Sequence, residues 1–81
     1  MLEKSIRFGQ QNFFYVKNDE SDGTYDYTGF MTQQGAILIA RYTKDGDNAL
    51  YWVGTGDFDT IWAAKATKNY VYPNELDLPR V

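Results

Sequence analysis

Eleven carboxylates and no histidine or cysteine set the limits of the chemistry this chain can carry. The acidic residues gather as Asp19, Glu20 and Asp22, as Asp45 and Asp47, and as Asp57 and Asp59. A calcium loop takes oxygen ligands at alternate positions, Gly at the sixth and a bidentate Glu at the twelfth. Counted from Asn18, the chain supplies Asn18, Glu20, Asp22 and Gly23 in order, but Gly29 stands where the closing Glu belongs. Counted from Asp45, the pattern fails at Ala49. The ordinary use of such residues is to bond their own backbone in turns and caps. A glycosidase would set two carboxylates across a sugar-sized cleft, for which so small a domain has little room. Ser5, Ser21 and the threonines have no ordinary base to activate them without His or Cys. Gly54-Thr55-Gly56-Asp57-Phe58-Asp59 begins like a dinucleotide fingerprint, then puts Asp59 in place of its third Gly. No Gly-Lys-Ser/Thr phosphate loop occurs. The expectation is a non-enzyme with no cofactor and no metal site.

The aromatic residues are the remaining signal. Seven Tyr, five Phe and two Trp give a chain of 81 residues large areas to bury. Trp52, Trp62, Tyr25, Tyr27, Tyr70 and Tyr72 could form a sugar-stacking or protein-binding face, because Tyr and Trp join apolar area to a polar tip. The alternative is that they fill the core. Trp52 and Trp62 are read as core, in which case Trp52→Ala would cost about 3–5 kcal/mol. For Tyr25, Tyr27 and Tyr72 core and interface stand level. The tail adds Leu76 and Leu78, spaced among polar residues and two prolines. Such an arm can lie across a neighbour or simply fray. The candidate contact residues are therefore Tyr25, Tyr27, Tyr72, Leu76 and Leu78.

The elements that would position these residues are strands. Gly35 to Val53 reads as a hairpin: Ala36–Tyr42 and Ala49–Val53 are rich in β-branched and large apolar side chains. Lys44-Asp45-Gly46-Asp47-Asn48 between them is turn chemistry. Both faces of each run are apolar, so the hairpin is expected inside the sheet, covered on both sides. Asn12–Lys17 is a further strand, and Thr24–Thr32 alternates like a half-exposed one, with Gly29 marking a bulge or bend. After Gly54-Thr55-Gly56, Asp57 or Asp59 can cap a short helix near residues 59–66, with Ile61, Trp62 and Ala66 as its buried stripe. Asn69–Tyr72 reads as a last strand ended by Pro73. Residues 1–11 fit either a short helical turn or an arm. The fold expected is all-β, a small antiparallel meander, sandwich or partly open barrel with one short helix. It forms a single domain with an N-terminal arm (1–11), a β core (12–72) and an extended C-terminal tail (73–81).

Composition narrows the partners. A net charge of −3 with Lys and Arg scattered singly argues against nucleic acid and against an anionic membrane surface. The first residues lack the apolar stretch of a secretory signal, and no apolar run reaches spanning length, so a soluble product of the cytosol is expected. Without cysteine no disulfide assists folding, and stability must come from apolar burial, in part shared with a partner.

One arrangement of residues resembles a family. A Tyr-rich strand (Tyr25-Asp26-Tyr27-Thr28-Gly29), a strand ending in Arg (Ile37-Leu38-Ile39-Ala40-Arg41), an Asp45-Gly46 turn and an aromatic strand (Ala49–Gly54) follow one another. Phe58-Asp59-Thr60-Ile61-Trp62-Ala63-Ala64-Lys65-Ala66-Thr67 and Tyr70 complete the pattern. Over residues 25–72 this is similar to small virion-associated proteins of tailed bacteriophages. That family usually has an acidic pair and an Arg after the Trp, where this chain has Ala63-Ala64-Lys65. The resemblance implies a structural component of a phage particle, at the head surface, neck or tail, made in the host cytoplasm and located in the virion. It would contact other phage structural proteins or copies of itself. Two further readings remain: a phage-encoded inhibitor of a host protein, and a small carbohydrate-binding module using the aromatics.

Overall fold

A computed structural model describes residues 5–8, 11–46 and 48–76. Among these residues five antiparallel strands run in simple order, β1 (Ser5–Phe8), β2 (Gln11–Asp19), β3 (Tyr25–Met31), β4 (Ala36–Thr43) and β5 (Ala49–Thr55). This meander curls into a half-barrel, and one short helix, α1 (Phe58–Ala63), follows it. The all-β expectation holds.

The strand nearest the middle of the core is β4. Ala36, Ile37, Leu38, Ile39 and Ala40 are all fully buried, which explains why its sequence is a continuous apolar run instead of an alternation. Its neighbours set the two faces. On one face Leu38 joins Phe13, Phe30, Ala36 and Ala40, with Ile6, Tyr51, Val53 and Leu76 packed around them. On the other, Ile37 and Ile39 join Tyr27 and Tyr70, with Tyr25, Met31, Leu50, Trp52, Phe58, Ile61 and Trp62. Complete burial of Ile37, Leu38 and Ile39 is worth about 1.5–3 kcal/mol each.

The turns follow the residue chemistry. Between β2 and β3, Asp19 Oδ1 accepts from the Ser21 amide and hydroxyl, and Asp22 Oδ2 accepts from the amides of Thr24 and Tyr25. Between β3 and β4, buried Thr32 accepts the Ala36 N–H on its hydroxyl, and Gly35 takes the left-handed φ of 99° that closes the turn. After β4, the Gly46 N–H bonds the Thr43 carbonyl. Asp57 is the N-cap of α1, its Oδ2 accepting from the Thr60 amide at 3.0 Å.

Several expectations require correction. Residues 5–8 are neither a helical turn nor an arm. They form β1, because pairing Ile6 with Phe13 gives Ile6 an apolar face to cover. The bulge lies in β2, where the register shifts between Tyr15 and Lys17, rather than at Gly29. Gly29 stays in register and leaves room for α1: a Cβ there would sit 2.7 Å from Phe58 Cζ and 2.8 Å from Trp62 Cζ3. The hairpin β4–β5 is not wholly interior, since β5 is the edge strand of the meander. Residues 69–72 supply one bridge, Val71 to Tyr51, instead of a strand. Pro73 has no N–H to continue a ladder, and the Tyr72 N–H is taken by Glu75 Oε1. The tail is not extended throughout, because Pro73–Glu75 makes a 3-10 turn. Helix α1 ends at Ala63 and tightens into a 3-10 turn over Lys65–Thr67, which leaves Ala66 exposed outside the stripe.

Gly29→Ala is expected to push α1 off the sheet and cost about 1–3 kcal/mol of stability, read as a lowered urea midpoint. Gly23→Ala, with nothing within 4 Å of the new Cβ, is the control that leaves the midpoint close to the parent's. Equal midpoints for the two variants would refute the packing of α1 against β3.

Candidate interaction surface

The helix-bearing face is built from alternating aromatic rings and cations. The Arg41 guanidinium lies 4.2 Å from the Tyr25 ring centre and 4.7 Å from that of Tyr70. The Lys65 ammonium lies 4.7 Å from the Trp62 ring and 5.6 Å from the Tyr27 ring, and forms a 2.9 Å ion pair with Asp19. Lys68 lies 4.6 Å from the Trp52 ring, and Lys17 about equally far from Phe58 and Trp62, at 5.8 and 6.0 Å. Phe58 and Trp62 stack at 5.7 Å. Each cation over a ring is worth roughly 0.5–1 kcal/mol where solvent reaches it, and more where it does not.

Strand register explains this grouping. Asp19, Tyr27, Arg41 and Leu50 are successive cross-strand partners, so they project from one face. The chain after α1 then brings Lys65 and Tyr70 over them, and the Tyr70 hydroxyl ties the segment down by donating to the Lys65 carbonyl at 2.7 Å. Burial pushes the Tyr70 and Tyr27 hydroxyls above the usual tyrosine range. Hydrogen bonds from Ser21, followed by Lys65, hold the Asp19 carboxyl well below the usual carboxylate range. The amides of Thr24 and Tyr25 do the same for Asp22, and the Thr60 hydroxyl and amide do so for Asp57.

The expected contact residues scatter. Tyr25 is half-buried beside Arg41, Tyr27 is only 4% exposed and belongs to the core, and Leu76 packs on the opposite face. Tyr72 is open at 55% exposure. Leu78 lies outside the described residues. Trp52 and Trp62 pack against the core but are half-buried, so the loss expected for Trp52→Ala falls below that of an enclosed side chain. Of the partial calcium pattern, the Asp22 carboxylate is spent on the turn, accepting from the Thr24 and Tyr25 amides. Among the described residues no group of three or more His, Cys, Asp or Glu side chains is placed to hold a metal ion.

A second surface escaped the sequence reading. Phe14, Tyr15 and Val16 are consecutive on β2 and remain 48%, 36% and 40% exposed. Phe13 beside them is fully buried. The visible signal was the failure of alternation at Phe13-Phe14-Tyr15-Val16: a strand apolar on both sides must be covered twice or stay open on one. The β2–β3 register shifts beside them, between Tyr15 and Lys17, and among the described residues only Tyr15 of the three has a ring neighbour, lying edge-on to Phe30.

These features define an all-β meander with an aromatic–cation face and an open apolar strip. Comparison with protein-family models, curated proteins and solved structures found no match.

The depressed carboxylates make acid stability testable. Asp19, Asp22 and Asp57 hold their charged form more strongly in the folded chain than in the unfolded one. Their contribution is complete above the ordinary value of 3.8 and is lost as pH falls below it. The melting temperature should decline below about pH 4. Asp19→Asn should melt lower than the parent at pH 7, with a shallower acid decline, so the two curves converge. Parallel curves would show that Asp19 makes no such contribution.

Proposed function

We propose that this protein is a non-enzymatic structural component of a tailed-phage particle, acting through contacts with copies of itself or with other particle proteins. The observation that carries the contact reading is the strip Phe14-Tyr15-Val16, large apolar side chains held open on a β-strand. Among the described residues, strand β2 has only the four-residue β1 beyond it. Open apolar area beside a sheet edge favours association, by side-chain burial and by strand pairing. The particle setting rests on the resemblance over residues 25–72. The aromatic rings favour this reading over sugar binding, because Lys65, Lys68, Lys17 and Arg41 already occupy the rings of Trp62, Trp52, Phe58, Tyr25 and Tyr70.

Light scattering coupled to size exclusion, over a range of concentrations, tests self-contact. The parent chain should form a discrete oligomer that Phe14→Ser/Val16→Ser abolishes. The double variant should melt near the parent, since exposed substitutions cost little, whereas Phe13→Ala should cost about 3–5 kcal/mol. For contact with other particle proteins, tagged parent chain should sediment with particles from a phage-infected lysate while the double variant stays in the supernatant. A monomeric parent that also stays in the supernatant would overturn the proposal.

A further inference from the structure

Among the described residues, no carboxylate answers the charge of Arg41. Its guanidinium rests over the rings of Tyr25 and Tyr70, and among the described residues it makes no hydrogen bond or ion pair. This is not for want of carboxylates nearby. Asp19, cross-strand partner of Tyr27, is committed to Lys65 and Ser21. Asp22 is committed to the amides of Thr24 and Tyr25, and Asp26 bonds Lys44 at 2.6 Å. Directly across from Arg41 in the β3–β4 register stands Tyr27, 4% exposed, whose hydroxyl bonds no described residue. The two ring centres, 4.2 and 4.7 Å from its central carbon, confine the guanidinium, whose N–H groups are a planar fork of donors.

We propose that Arg41 is a carboxylate-binding arginine, receiving an acidic side chain or a chain-terminal carboxylate from a protein partner. The partner rests on the contact reading above; the anion chemistry does not. A guanidinium matches a carboxylate with two parallel hydrogen bonds, and the two tyrosine rings already confine it. The field at the site selects among anions. The charges of Asp22 and Asp19 reach Tyr27, so a phosphate dianion meets more repulsion than a singly charged carboxylate. The same field keeps a free carboxylate weakly bound, in the millimolar range, until a larger interface delivers it.

The test uses acetate as the probe on the whole chain labelled with nitrogen-15. The Arg41 Nε–H resonance should shift saturably with sodium acetate and not with sodium chloride at matched ionic strength. In Arg41→Lys, the acetate-dependent shifts of the Tyr27 and Leu50 amides should weaken about tenfold or vanish, because an ammonium keeps the charge but loses the fork. If Arg41→Lys does not fold, the titration of the parent chain decides alone. A response that is absent, or equal with chloride, overturns the proposal. So does tighter binding of inorganic phosphate than of acetate, which would reassign the site to phosphate. Light scattering and sedimentation with particles are separate readouts, so a parent chain that is monomeric, stays in the supernatant and still binds acetate would remove the contact reading and leave the anion site standing.

Discussion

The double-sided burial of β4 is the constraint on which this structure depends. Five successive residues, Ala36 to Ala40, are shut off from solvent. A strand buried on both sides needs two separate covers, and an 81-residue chain has little to make them from. One cover is the curl of the meander itself, which brings Phe13, Phe30, Tyr51 and Val53 together, with Leu76 of the tail added. The other is the segment after β5, which folds back across the sheet as α1, a 3-10 turn and Tyr70. Aromatic residues suit this second role because one ring covers what would otherwise take several aliphatic side chains.

That solution explains the cations. A thin cover of rings leaves ring faces at the boundary with water, where Lys and Arg stems can lie along them and keep their charges solvated. Among the described residues, Lys65 is the most enclosed of the ion-paired lysines, at 16% side-chain exposure, and it is paired at 2.9 Å with Asp19. Lys17 and Asp59, 3.9 Å apart and open to solvent, add little to stability. The aromatic residues that suggest a ligand face in the sequence are thus largely the roof of the core.

The fold was legible where local chemistry decided it. Apolar runs bracketing Asp45-Gly46 specify a hairpin, and Asp57 ahead of Phe58-Asp59-Thr60-Ile61 specifies a capped helix start. The order of strands at the rim was not legible, because Ser5–Phe8 and Asn69–Tyr72 have similar strand content and only tertiary pairing separates them. Ile6 finds Phe13, whereas Pro73 stops the ladder after a single bridge at Val71. The surface was less legible still. Tyr25, Tyr27 and Tyr72 are the same residue type on or near strands, yet one is half-buried, one enclosed and one open, according to which neighbour crosses above them. Arg41 gives no signal in sequence, since its interest lies in how neighbouring aspartates are already spent.

The bridge between Val71 and Tyr51 gives the meander unlike ends. It occupies the backbone of Tyr51 on β5, with bonds of 2.8 and 2.9 Å, while the described outer rim of β1 carries no further strand. Stacking of sheets head to tail needs an open rim at both ends of each molecule, and one end here is plugged at its midpoint. Two copies can still meet rim to rim about a twofold axis, and that pairing uses up the only rim each has to offer among the described residues. Pairing by this route stops at two copies, because Val71 already occupies the Tyr51 backbone on the other rim.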